Sequence, residues 1–261
     1  MKKKLDRLYN QYNRRKYVYP DPLWFLYRYD DVRDREIAGL IASSLAYGRV
    51  RQILKNVSKA LEIMGGSPFG FLKRSTFRSL LDVFKDFRHR FAAGNQMAAL
   101  LWATKVTIDR FGSLNACFIY GMSFEDETVI PGMAFLSKNL SSGRDPGHLI
   151  AHPEKGSACK RMNLFLRWMV REDEVDPGGW AGISPSKLII PLDTHMHTIG
   201  LGLGLTNKKQ ANMRTALEIT SGFKNLAPED PVKYDFALTR FGIRDDMNMD
   251  DLLRSPCFRR E

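Results

Sequence analysis

A chain of 261 residues, 44% of them hydrophobic, can bury one large core or two small ones, which excludes a disordered tail. Its 40 Lys and Arg stand against 29 Asp and Glu, and the resulting net charge of +11 favours a polyanionic partner, nucleic acid before an acidic membrane surface. Three scattered cysteines, Cys117, Cys159 and Cys257, exclude a disulfide framework and a four-cysteine zinc or iron–sulfur site.

The basic start, "MKKKLDRLYNQYNRRK", is followed by no apolar run, so it is not a secretory signal. No stretch of about 18 uncharged apolar residues follows anywhere. The expectation is a soluble, cytoplasmic protein acting as a monomer and not in a membrane.

The period is helical nearly throughout, and the predicted class is all-α. From Asp34 to Gly66, apolar residues recur at Ile37, Leu40, Ile41 and Leu45, then at Ile53, Leu54, Val57 and Leu61. Gly48 predicts a break into two helices, and Gly65-Gly66 a stop. "RSTFRSLLDVFKDFRHRF" (74–91) reads as another helix. "NQMAALLWATKVTIDRFG" (95–112) reads as a helix with Asn95 as N-cap and Gly112 just past its end. "SSGRDPG" (141–147) is the expected boundary between two parts of the chain. "KGSACKRMNLFLRWMVRED" (155–173) predicts a helix capped by Ser157, with Met162, Phe165, Leu166, Met169 and Val170 on its apolar face. The Gly- and Pro-rich loop "DEVDPGGWAGISPSK" (173–187) follows. "KLIIPL" is the best candidate strand, but Pro191 cuts it short. "NMRTALEITSGFK" and "DPVKYDFALTRFGI" are helical again.

Two residues in these segments could carry chemistry. Asp193 follows Pro191 and Leu192 and precedes a helical run, so it can cap a helix with its carboxylate. His195 and His197 beside it invite a metal reading, but positions two apart on a helix point to different faces. Lys160 stands in the first turn of its predicted helix with Arg161 next to it. Its ordinary role is a solvated basic face; its functional alternative is a nucleophilic amine. Helix N-terminal dipoles, neighbouring cations and partial burial favour the neutral form of a lysine, and the sequence offers the first two here.

"ACKRMNLFL" followed by "PLDTHMHTIGLGLGL" resembles the helix–hairpin–helix superfamily of base-excision DNA glycosylases. The match is closest to an uncharacterised bacterial family related to the archaeal 8-oxoguanine glycosylases. In that superfamily the acid of an Asp-Thr-His step is catalytic, and a lysine at the start of an earlier helix is the nucleophile of bifunctional members. The resemblance places those roles on Asp193 and Lys160. It implies two helical lobes with a cleft between them, one built from residues 1–45 and 146–261 and the other from 46–145. "IASSLAYGRVRQI" resembles the early helix whose turn fills the hole left by a flipped base, which points to Tyr47. "DPVKYDFALTRFGI" resembles the late helix that precedes an iron–sulfur loop in cluster-bearing members, but no four-cysteine loop follows it here. The hairpin, usually Leu-Pro-Gly-Val-Gly, reads "HPEKGSACK" here, with Pro153 and Gly156 as its echoes. Aligning on those two makes Lys155 the rival nucleophile.

The implied function is a DNA glycosylase with AP lyase activity, removing an oxidised purine from duplex DNA through a lysine Schiff base without metal or organic cofactor. Tyr47, Arg49, Arg51, Lys155, Gly156 and Arg161 are the expected DNA-binding residues, with Arg88 and Arg90 of "FRHRF" as further candidates. Trp180 is the expected base-pocket aromatic, and Trp168 a core residue. Two other classes fit the same residues: a DNA-binding protein on this fold that performs no chemistry, and a metal-dependent hydrolase using Asp193, His195 and His197.

Overall fold

The structure is a computed structural model and describes residues 1–244 and 246–254. Among these it is mostly helical, with 13 α-helices. They are α1 (Lys2–Tyr12), α2 (Val32–Ser44), α3 (Val50–Met64), α4 (Pro68–Arg74), α5 (Phe77–Phe84), α6 (Gly94–Phe111), α7 (Leu114–Tyr120), α8 (Ile130–Leu140), α9 (Lys160–Val170), α10 (Thr194–Gly202), α11 (Met213–Lys224), α12 (Asp235–Ile243) and α13 (Met249–Arg254). Among the described residues no helix is long and apolar enough to cross a membrane.

The break at Gly48 is real: α2 ends at Ser44, Gly48 adopts φ +95°, and α3 begins at Val50. Gly65, at φ +75°, ends α3. The helix expected over 74–91 extends only to Phe84. Beyond it, Arg88–His89 (β1) and Ala92–Ala93 (β2) pair antiparallel, with Arg88 opposite Ala93 and His89 opposite Ala92. Arg90 takes the left-handed conformation a two-residue hairpin loop needs (φ +53°), which a helix cannot contain. Helix α6 starts one residue before the expected cap: Gln96 Oε1 accepts from the Ala93 amide at 3.0 Å, and Asn95 does not act as N-cap. Gly112, at φ +91°, closes it as expected. "KLIIPL" forms no strand; its extended backbone is buried, with the Ile190 amide donating to Thr220 Oγ1 at 3.0 Å.

Helix α2 is buried along most of its length, from Asp34 to Ser44. It packs against α9 through Gly39, where a Cβ would lie only 3.2 Å from the Phe165 ring. Helix α1 packs on α12, with Tyr9 meeting Tyr234 edge to face at 6.4 Å and the Tyr234 hydroxyl donating to Asp6 Oδ1 at 2.8 Å. The first helix therefore lies on an element formed more than 200 residues later, and α10 packs on that same element.

Candidate active site

The start of α9 is built by the residues before it. Pro153–Lys155 make one 3-10 turn, which Gly156 ends in the left-handed conformation (φ +74°). The Met213 amide donates to the Gly156 carbonyl at 3.3 Å, and Ser157 bridges Asn212, so the turn is tied to the start of α11. Cys159, not Ser157, is the N-cap, again left-handed at φ +47°. Ser157 instead accepts weakly from the Cys159 amide at 3.4 Å. The helix therefore begins at Lys160 itself.

Asp193 is the N-cap of α10, and its two oxygens do different work. Oδ1 accepts from the Met196 amide at 2.8 Å. Oδ2 lies 3.1 Å from Lys160 Nζ. Two side chains 33 positions apart thus form an ion pair, with Lys160 34% and Asp193 15% exposed. Both line a cavity of about 740 Å³ that opens to solvent. That volume falls in the range of ~300–1,000 Å³ typical of ligand pockets.

Behind the pair lies a set of buried charges that the sequence reading did not assemble. Arg167 of α9 pairs closely with Asp235 of α12 and reaches Asp176 at 3.2 Å. Arg240 of α12 donates to Asp21 at 2.8 Å. Arg171 binds Asp173 and Asp230 at 2.8 and 2.9 Å and also contacts Asp176. Asp21, Arg167, Asp235 and Arg240 all line the cavity. Burial pushes the Asp235 carboxyl up to about 6 against the attraction of Arg167, and the charge of Asp193 adds to the rise. For Arg167, burial alone would favour the neutral form, but Asp176 and Asp235 outweigh it and keep the guanidinium charged. Asp235 Oδ1 and Arg240 Nη1 are buried without a hydrogen-bond partner. The sequence signal was available: Arg167 in "NLFLRWMV" and Arg240 in "DFALTRFGI" are lone cations among apolar neighbours.

The other expected site residues divide. Tyr47 lines the cavity at its rim. Its hydroxyl donates to the His89 carbonyl at 2.9 Å and lies 2.8 Å from His148 Nε2. Arg49 and Arg51 are exposed at the start of α3, flanking Val50, which lines the cavity. Lys155 and Gly156 are exposed on the turn before α9, and Lys155 is not part of the cavity wall. Arg88 and Arg90 are exposed on and beside the hairpin turn.

Two expectations are corrected. Arg161 is turned inward: Nη1 donates to the Ser44 carbonyl at 2.7 Å, Nη2 to the His148 carbonyl, and the guanidinium lies over the Tyr47 ring. These contacts brace the rim of the cavity, which Arg161 also lines. Trp180 is not a pocket residue. It is 5% exposed, packs against Phe165 and Phe118, and donates from Nε1 to Glu36 Oε2 at 3.0 Å. Buried Glu36 needs that donor, and the two positions lie 144 apart in sequence. Trp168 is core, fully buried.

His195 packs against Gly242, where a Cβ would lie 2.2 Å from Nδ1, and His197 Nε2 faces the Lys208 carbonyl at 2.7 Å. Among the described residues no three His, Cys, Asp or Glu side chains converge as a metal site would require.

A family model described as a protein of unknown function (DUF2400) matches residues 21–244. No curated protein and no solved structure matches the chain.

Proposed function

We propose that this chain, which belongs to the DUF2400 family, is a DNA glycosylase and AP lyase of the helix–hairpin–helix kind. In this reading it acts on duplex DNA, on an oxidised purine, in a cleft between a lobe of residues 1–45 and 146–261 and a lobe of 46–145. The observation that carries it is the 3.1 Å approach of Lys160 Nζ to Asp193 Oδ2 inside an open cavity.

A base inside a duplex is out of reach, so the nucleotide must be extruded into a pocket, at a cost of a few kcal/mol in stacking and pairing. Exposed Arg49, Arg51 and Lys155 hold phosphate and offset part of that cost. Lys160 gives up its proton, with Asp193 as the nearest acceptor, and its lone pair attacks sugar C1′. The glycosidic bond breaks, and the base leaves with the bonding electrons and the proton that Asp193 took from Lys160, which returns Asp193 to its carboxylate form. Positive charge developing on the sugar is balanced by the Asp193 carboxylate, which capping of α10 already holds in place. Opening of the sugar ring gives a Schiff base between C1′ and Nζ. Loss of a C2′ proton then expels the 3′ phosphate by β-elimination.

The test is borohydride trapping on duplex oligonucleotides carrying 8-oxoguanine and a panel of other lesions. The wild-type chain forms a covalent adduct, and Lys160→Gln forms none. Asp193→Asn, which keeps an oxygen to cap α10, slows base release about 100-fold or more. Adduct persisting in Lys160→Gln and lost in Lys155→Gln would move the nucleophile. No adduct and no base release on any lesion would leave only a DNA-binding protein.

A further inference from the structure

We infer that the Arg90–Phe91 hairpin tip is the element that enters the base stack, with Phe91 as the wedge and Arg90 as its phosphate anchor. The inference rests on the duplex-binding reading of the cavity above and assigns a part of it to residues that reading leaves idle.

Tyr47 is poorly placed to leave the rim. Its hydroxyl is engaged by His89 and His148 and its ring lies beneath Arg161. The hairpin grows from those same anchors. Buried His89 accepts from Asn56 Nδ2 through Nδ1 at 2.8 Å, and its Nε2 faces the Tyr47 carbonyl at 3.2 Å. The Arg90 side chain covers Gly48, where a Cβ would sit 2.7 Å from Nη1. Tyr47 and Gly48 both line the cavity, so the hairpin is fixed to its mouth.

From this base the Phe91 ring projects into water, 77% exposed. Its neighbours are the Arg90 guanidinium, 5.5 Å from the ring centre, and the His148 ring at 6.3 Å. A single exposed apolar side chain is ordinary. This one follows Arg90, a non-glycine residue held at positive φ, and buried His89, at the edge of a cavity, on a hairpin that also exposes Arg88 and Arg90. Folding does not need a phenylalanine there. A duplex being opened does: apolar wedges stabilise the gap left when a base step is unstacked, and adjacent cations hold the bent backbone.

The experiment uses the full chain and a duplex with a tetrahydrofuran abasic analogue flanked by 2-aminopurine, whose fluorescence rises on unstacking. Wild-type protein raises the signal. Phe91→Ala loses most of the rise and binds this duplex about tenfold more weakly, Phe91→Trp restores both, and Phe124→Ala, an exposed phenylalanine outside the cavity wall, changes neither. Phe91→Ala indistinguishable from wild type in signal and affinity overturns the inference. A Phe91-dependent signal with neither borohydride adduct nor base release on any lesion keeps the wedge and removes the glycosylase. Adduct formation with a signal indifferent to Phe91 does the reverse.

Discussion

Glu36 is a carboxylate placed where water cannot reach it. The amides of Leu114 and Asn115 and the indole of Trp180 donate to it, yet burial outweighs all three and pushes its pKa up from 4.5 to about 7. The folded state therefore holds this proton over a pH range in which the unfolded chain has released it. Stability from this group is present in full below about pH 4.5 and is lost as pH rises towards 7, an effect on the order of 3 kcal/mol. Glu36→Gln should flatten the fall in urea-unfolding free energy between pH 4.5 and 7; an unchanged slope would mean that the carboxyl is ionised in the fold at little cost. The same residue explains why Trp180 was misread. Beside Gly178-Gly179 it looks like a loop aromatic, and nothing nearby in sequence reveals that an acid 144 positions away requires its N–H. Lys160 and Asp193 stand out because each lies in a short contiguous segment that resembles a glycosylase motif, whereas the partners of Arg167 and Arg240 are spread from Asp21 to Asp235.

At the scale of elements, periodicity located the helices and glycine located most of their ends. Gly48, Gly65 and Gly112 all adopt positive φ where a break was expected. The hairpin was missed because Phe84 and Phe87 keep the apolar spacing of a helix while the backbone turns away after α5. The turn is made possible by Gly94, where a Cβ would lie 1.8 Å from the Phe84 carbonyl oxygen. A side chain can rotate away from such a contact; backbone cannot. Gly94→Ala should therefore lower unfolding free energy by roughly 1–3 kcal/mol or more. Gly112→Ala, with nothing within 4 Å of its Cβ, bears only the left-handed strain of about 1 kcal/mol. Urea titration of both variants checks the ranking, and equal losses would mean that the hairpin shifts freely on α5.

For the whole molecule, the excess of positive charge is divided by the fold between the surface and the interior. Arg49, Arg51 and Lys155 are exposed near the cavity, while Arg167, Arg171 and Arg240 are consumed by buried acids. Net charge of +11 does not separate the two groups; only the fold does. If the exposed set meets phosphate, replacing any one of them with Gln weakens duplex binding across sequences and reduces the slope of log affinity against log salt by about 1. Arg161→Gln should instead loosen the rim and leave that slope unchanged. A salt slope insensitive to all three exposed cations would place the nucleic-acid face elsewhere.

The buried ions also set an order of events. Arg167 meets Asp235 only once α12 exists, and Asp21 waits for Arg240. Without α12, Arg167 would lack Asp235 and Asp21 would lack Arg240, so the wall of the cavity behind Lys160 and Asp193 is complete only when that helix is in place.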